Sequence, residues 1–481
     1  MKRQAWFRIA AAGMLALGPA LVFASTVALV GGSATPDGRA LIMKLRDNSD
    51  NANQEYVYNN SGPYAYVGIT YSGVTDQCWG GVNTAGFGIN DSNAHNFNDP
   101  VPGPDDDGII IRLALRTCAT LEEFQAIMDS TNVTGRTRTA NYGVVDSTGR
   151  GAFFEASAYS YTRYDLDDST AAPHGFMVRA NFAYSGGTYH LGQHRHDRAM
   201  ALMDSAWAGG FLNHNFMTQV VQRDLVNEYI DPYPLPFQGR EGLMPYGLMH
   251  SHDAINRDIT RSGYVIQMAA PGEDPLLCTL WALVGEPIAT AALPLWVKAG
   301  SVPVEFDGPN GSLLCQRAIQ LTNYLYQRNV AGDALDTWRL VDERGQGWLP
   351  FLTALESQGF ASGDSALAAW RMAGVPAPAA VAAFQNALAA YAYNQMNAWG
   401  PPAVPAVTLV RMPNNQVQVT WPPVTQDVFG RPLVVSGYTV FTSPEPFYDR
   451  FHGDSLTTVP SPPVMLPAAD PERFYQVRAR Q

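Results

Sequence analysis

Ser25, Lys44 and Asp47 are the residues whose types and spacing best fit covalent chemistry. A serine hydroxyl attacks a carbonyl only once a base has taken its proton. An α-amino group, with an ordinary pKa of about 7.7–8.0, can be that base near neutrality. The sequence offers Ser25 such an amine. Lys2, Arg3 and Arg8 precede an apolar run from Ile9 to Phe23, and Val22-Phe23-Ala24 ends it as a cleavage site. Residues 1–24 therefore read as an export signal removed after Ala24. Ser25 then heads a buried strand, Ser25–Val30, that runs into a Gly/Pro turn closing at Asp37-Gly38. The return strand, 40–46, brings Lys44 and the following Asp47 back toward Ser25, where they can hold the amine and tune its charge.

The competing reading of the N-terminus is a retained anchor. Ile9 to Val30 is an uncharged run long enough to cross a bilayer. Gly18-Pro19 within the run, the cleavage site and the strand character of Ser25–Val30 favour removal. No later stretch resembles a span, so no stable membrane segment is expected after cleavage, and the protein is expected to be periplasmic or extracellular. The net charge is −12, and becomes −15 when Lys2, Arg3 and Arg8 leave with residues 1–24. An acidic surface of that size argues against nucleic acid or anionic lipid as a partner. Cys78, Cys118, Cys278 and Cys315 fit two disulfides in an oxidising compartment or four buried thiols equally well.

Along the chain, strand-like runs rich in Tyr, Val, Phe and Ile fall at 25–31, 40–46, 64–72, 78–90, 140–147, 151–164, 175–183, 262–269 and 279–293. Helical spacing falls at 108–118, 121–129, 195–207 and 216–228. Strands interleaved with helices over residues 25–311 fit an α+β sandwich. Residues 312–400 turn helical, at 313–327, 349–358 and 379–396, with Gly and Pro between the segments. Pro-rich 401–405 reads as a linker, and 406–481 as an all-β sandwich.

From Ser25 to about Trp296 the sequence resembles the linear-amide N-terminal nucleophile (Ntn) hydrolases. This superfamily includes choloylglycine hydrolase, penicillin V acylase and the acyl-CoA:6-aminopenicillanate acyltransferase branch. The resemblance rests on Ser25-Thr26, on Ala34-Thr35-Pro36-Asp37-Gly38-Arg39, on Lys44-Leu45-Arg46-Asp47 and on Asn83-Thr84-Ala85-Gly86-Phe87. It continues through Asn141-Tyr142-Gly143, Phe153-Phe154-Glu155, Val178-Arg179-Ala180-Asn181-Phe182 and Thr260-Arg261-Ser262. It implies a four-layer αββα sandwich with Ser25 as nucleophile, Lys44 and Asp47 around its amine, Asn83 and Asn181 as oxyanion donors, and Arg261 as a late active-site arginine. Ser25 stands where this branch mostly has Cys, Lys44 where Arg is common, and Leu45 where Asn is common. The tail resembles a fibronectin type III module through Trp421, Gly437-Tyr438-Thr439-Val440 and Tyr475-Gln476-Val477.

The implied activity is hydrolysis of a linear amide through an acyl-enzyme, with a small amide or acyl-amine as substrate and no cofactor or metal. Acyl transfer to an amine on the same fold is one alternative. A non-catalytic secreted binding or adhesion protein with a decayed site is the other. His190, His194 and His196 have a zinc-like spacing but precede a helix and lack a convincing acidic or thiol ligand, which makes them surface or capping residues. Gly86-Phe87-Gly88 reads as a tight turn, with no basic helix N-terminus after it to suit phosphate. Arg261 serves a structural ion pair as readily as a site.

Overall fold

The computed structural model describes residues 24–48, 53–227, 235, 237, 247–327, 333–342, 345–444, 454–468 and 473–480. The expected export signal lies outside the described residues, except for the backbone of Ala24. The chain opens with β1 (Ala24–Val30), β2 (Leu41–Asp47), β3 (Gln54–Asn59), β4 (Tyr66–Tyr71), β5 (Gly81–Asn83) and β6 (Gly88–Asn93). Helices α1 (Asp107–Thr117) and α2 (Leu121–Thr134) follow, then β7 (Ala140–Val145), β8 (Gly151–Ala156), β9 (Tyr161–Asp165) and β10 (Phe176–Arg179). Next come α3 (Gln193–Ala208), α4 (His214–Gln219), β11 (Leu248–Met249), β12 (Thr260–Gln267), β13 (Thr279–Val284) and β14 (Leu293–Leu295).

Two antiparallel sheets result. One has the order β10-β1-β2-β12-β13-β14, and the other is a seven-stranded meander from β3 to β9. Their shared core follows from strand alternation. Val27, Leu29 and Ile42 of the first sheet pack with Val67, Val82 and Phe153 of the second. The opposite faces of β1 and β2 (Ala28, Val30, Met43, Leu45) meet α3 and α4 through Ala199, Met203 and Met217. The outer face of the second sheet (Phe87, Ile89, Val144, Phe154) is covered by Ile111, Leu115, Phe124 and Met128 of α1 and α2. Buried polar side chains also join the sheets. Asn90 Nδ2 donates to the Met43 carbonyl at 2.7 Å, and the Tyr264 hydroxyl to that of Ile89 at 3.0 Å.

Several expected elements divide. The run 78–90 breaks at the turn 84–87, where Gly86 adopts φ +73° and an added Cβ would crowd Pro275 and Ser147. The run 151–164 is a hairpin, and 279–293 is two strands around a 3₁₀ turn at Pro287–Ala289. The helix expected at 216–228 is the short α4 and a 3₁₀ turn at Val221–Arg223, where Gln222 and Arg223 turn inward. Gln222 bonds to the Lys44 and Tyr264 carbonyls, and Arg223 makes a bidentate pair with Glu356 at 2.8 and 2.7 Å.

Residues 312–400 carry α5 (Leu313–Leu325), a hairpin of β15 (Tyr326–Gln327) and β16 (Ala334–Asp336), α6 (Thr337–Leu340), α7 (Trp348–Ala373) and α8 (Pro378–Ala398). Leu314, Leu321, Trp348, Leu352, Val381 and Met396 enter the same core as β13 and β14. The expected helix at 349–358 continues to Ala373, and Gly363 within it serves close packing: a Cβ there would sit 2.6 Å from the Trp281 ring. The tail forms two three-stranded sheets, β17 (Thr408–Met412), β18 (Gln416–Thr420) and β21 (Val464–Pro467) in one, β19 (Gly437–Ser443), β20 (Asp454–Val459) and β22 (Phe474–Arg480) in the other. Val419, Trp421, Tyr438, Val440, Leu466 and Val477 fill the space between them. All four cysteines are buried free thiols. No helix among the described residues is long and apolar enough to cross a membrane.

Candidate functional site

Strand pairing assembles the site. In the β1–β2 hairpin Ser25 lies opposite Arg46, and Ala24 opposite Asp47. On the other side of β2, Thr260 of β12 also pairs with Asp47. The turn between β1 and β2 passes through Gly38 at φ +73°, a conformation that suits glycine. Ser25, Lys44, Arg46 and Asp47 then line a cavity of about 260 Å³, together with Tyr71, Gln77, Trp79, Asp91, Asn93, Asp105 and Asp107.

Ser25 is held by its backbone. Its nitrogen donates to Asn181 Oδ1 at 3.0 Å, and its carbonyl accepts from Arg195 Nη1 at 2.8 Å. Arg195 also donates to Thr26 Oγ1 at 2.9 Å and to Asn181 Oδ1 at 2.7 Å. The Asn181 amide is therefore locked: Oδ1 faces two donors, and Nδ2 donates to the Asn93 carbonyl at 3.1 Å. Arg195 reaches this position from the first turn of α3, past Gly192 at φ +81°, where a Cβ would strike its guanidinium. Burial lowers the Arg195 pKa to about 10, with the nearby Asp47 opposing the shift.

Asp47 is buried beneath the same network. Thr260 Oγ1 donates to its Oδ1 at 2.6 Å, and Arg257 and Arg195 stand 3.2 and 3.9 Å from its Oδ2. Lys44 is ion-paired with Asp91 from β6. Arg46 lies over the rings of Tyr71 and Trp79, with 4.5 and 4.3 Å to their centroids, and donates to Gln54 and the Tyr71 hydroxyl. Asp107, at the start of α1, is buried, and desolvation pushes its carboxyl up to about 7, with the charge of Asp91 adding to the rise.

Of the six residues singled out from sequence, the structure gathers Ser25, Lys44, Asp47 and Asn181. Asn83 goes elsewhere. Its Nδ2 donates to the carbonyls of Leu115 and Cys118 at 2.9 and 2.7 Å, and its Oδ1 accepts from Ala85 and Phe87 at 3.0 Å. It fastens the Gly86 turn to α1, and it does not line the cavity. Asn181 has a different contact from the expected one, since its oxygen meets the Ser25 nitrogen. Arg261 faces a separate small recess with Glu286, Cys315 and Thr322. The cause is a bulge: Thr260 pairs with Asp47 and Ser262 with Arg46, leaving Arg261 as the extra residue. Arg257, in the loop before β12, supplies the cation on Asp47 instead.

Arg195, Arg257, Asn93 and Asp107 were not singled out from sequence. Arg195 stands between His194 and His196, whose spacing drew attention to the imidazoles. Those histidines have separate partners: Gln193 for His190, the Val226 carbonyl for His194, and Tyr184 and Asp197 for His196. A cation in the helical run that follows Asn181 was the available clue.

No family model matches the chain, and no curated protein matches it. Among solved structures it is similar to two variants of conjugated bile acid hydrolase from Clostridium perfringens. One is 15% identical over 39% of this chain and 74% of that one, with a TM-score of 0.28. The other is 12% identical over 54% and 89%, with a TM-score of 0.33. It is also similar to penicillin V acylase from Agrobacterium tumefaciens, 13% identical over 56% and 85%, with a TM-score of 0.29.

Proposed function

We propose that this protein is an exported amidase or acylase of the Ntn type, cleaving a linear amide through Ser25. The observation that carries the reading is the Ser25 nitrogen, held at 3.0 Å by Asn181 Oδ1 at the edge of a polar cavity. Removal of residues 1–24 turns that nitrogen into an α-amine. The cationic Arg195, bonded to the same Asn181 oxygen and to the Ser25 carbonyl, disfavours a second positive charge there. The α+β sheets take the role of a four-layer αββα sandwich over residues 25–311, residues 312–400 that of a helical buttress, and the tail that of a fibronectin-like module.

The amine takes the Ser25 hydroxyl proton as Oγ bonds to the substrate carbonyl carbon. The resulting oxyanion is met by the side-chain amide of Asn93, which lines the cavity. Collapse breaks the C–N bond, and the ammonium returns its proton to the leaving nitrogen. Water, deprotonated by the same amine, then hydrolyses the acyl-serine ester. Asp47 acts as a positioning residue, anchoring Arg195 and Arg257 beneath Ser25.

The test is turnover of a panel of N-acyl amides by the mature protein. Ser25→Cys should retain hydrolysis, and Ser25→Ala should lose at least about 10³-fold in kcat, because the nucleophile acts as a unit with its base. Equal turnover by Ser25→Ala would refute the reading.

A further inference from the structure

We propose that the cavity beside Ser25 receives an amide bearing an ammonium or guanidinium group, with Asp107 as its counter-charge. This rests on the amidase reading of the same site. One charge on the cavity wall is unmatched. Asp47 meets Arg257 and Thr260, Asp91 meets Lys44, and Asp105 meets Arg138 at 2.6 Å. Arg46 has two ring faces and two neutral acceptors. Asp107 has a single hydrogen bond, from the Gly108 backbone at 2.7 Å, although it is only 6% exposed and lines the cavity.

Among the described residues, no cation lies within ion-pair distance of Asp107. A buried carboxylate with one hydrogen bond is costly, and the neighbouring charges of Asp91 and Asp105 raise that cost. Lys44 offsets part of it, but is itself ion-paired with Asp91. A substrate cation entering from the cavity would supply the missing charge in a desolvated setting, where charge pairing discriminates most strongly. Four aspartates against two cations on the wall give the cavity the matching sign.

The experiment is calorimetric titration of the mature, full-length Ser25→Ala variant with N-acetyl-1,4-diaminobutane and with its neutral counterpart N-butylacetamide. The cationic member should bind at least about tenfold more tightly at pH 8. Adding Asp107→Asn should bring the ratio to near one, and adding Asp107→Glu, which keeps the charge, should preserve a preference. Equal binding of the pair, or a preference that survives Asp107→Asn, overturns the proposal. The outcome is separable from the fate of the amidase reading. Turnover of both amides with no difference in binding sinks this inference alone. Selective binding without any turnover by the Ser25 enzyme sinks only the amidase reading.

Discussion

Arg195 and Asn181 meet at 2.7 Å, and through that contact each fixes the other against Ser25. The guanidinium determines which end of the Asn181 amide faces the Ser25 nitrogen, since two donors at one atom require the oxygen there. Arg195→Lys keeps a charge but loses the planar fork that bonds Ser25 O, Thr26 Oγ1 and Asn181 together. The expected result is a kcat lower by about 10²-fold with little change in KM, a loss comparable to removing one preorganised donor. Steady-state kinetics on a soluble amide substrate check it. A raised KM with intact kcat would place Arg195 in substrate binding instead.

Asn83 should behave as a structural residue. Asn83→Ala strips four hydrogen bonds at the Gly86 turn and leaves buried carbonyls and amides unpaired, a cost of about 2–4 kcal/mol. Urea unfolding should show a lower midpoint, while the folded fraction keeps its kcat. A kcat collapse with an unchanged midpoint would return Asn83 to the site.

Much of the first hairpin was legible in the sequence because its determinants are local. Ser25–Val30 alternates between two buried faces, Asp37-Gly38 supplies a turn with positive φ, and the return strand brings Lys44 and Asp47 back in register. Asn181 was legible as a polar residue in an apolar run, although β10 ends before it, at Arg179. Arg195 and Arg257 were not, because their roles arise only when a helix and a loop distant in sequence fold onto β1 and β2. The misplacement of Arg261 has a similar origin, since one bulged residue reverses which side chain faces the cavity and no local pattern marks it. Gly359 and Gly363 looked like helix breaks, yet α7 runs through both. Packing against β13 and β14 outweighs their poor propensity.

The Arg223–Glu356 pair should matter to stability more than any exposed pair. Both side chains are buried, and Glu356 also accepts from the Ala292 nitrogen at 2.6 Å, joining α7 to the first sheet. Glu356→Ala leaves the guanidinium buried without its partner and should cost about 3–5 kcal/mol. The double replacement Arg223→Met with Glu356→Leu should recover most of that loss in thermal unfolding. No recovery would mean that the pair contributes through more than mutual compensation.

Glu286 predicts a pH dependence. Burial raises its carboxyl to about 7, against hydrogen bonds from Tyr326, Asn256 and Thr322 that favour the anion. A carboxyl whose folded pKa is raised binds protons more tightly in the native state. Its contribution to stability is therefore complete below its unfolded pKa and is lost as pH rises through about 7. The melting temperature of the native protein should decline across that interval more steeply than that of Glu286→Gln. Parallel curves would remove Glu286 as the source.

The mechanism requires a free α-amine on Ser25, and intact mass with N-terminal sequencing of the exported protein measures it directly. The expected chain begins Ser25-Thr26-Val27-Ala28, with residues 1–24 absent. A mature protein that begins at Met1, or some residues to either side of Ser25, would leave the serine without its base and contradict the mechanism.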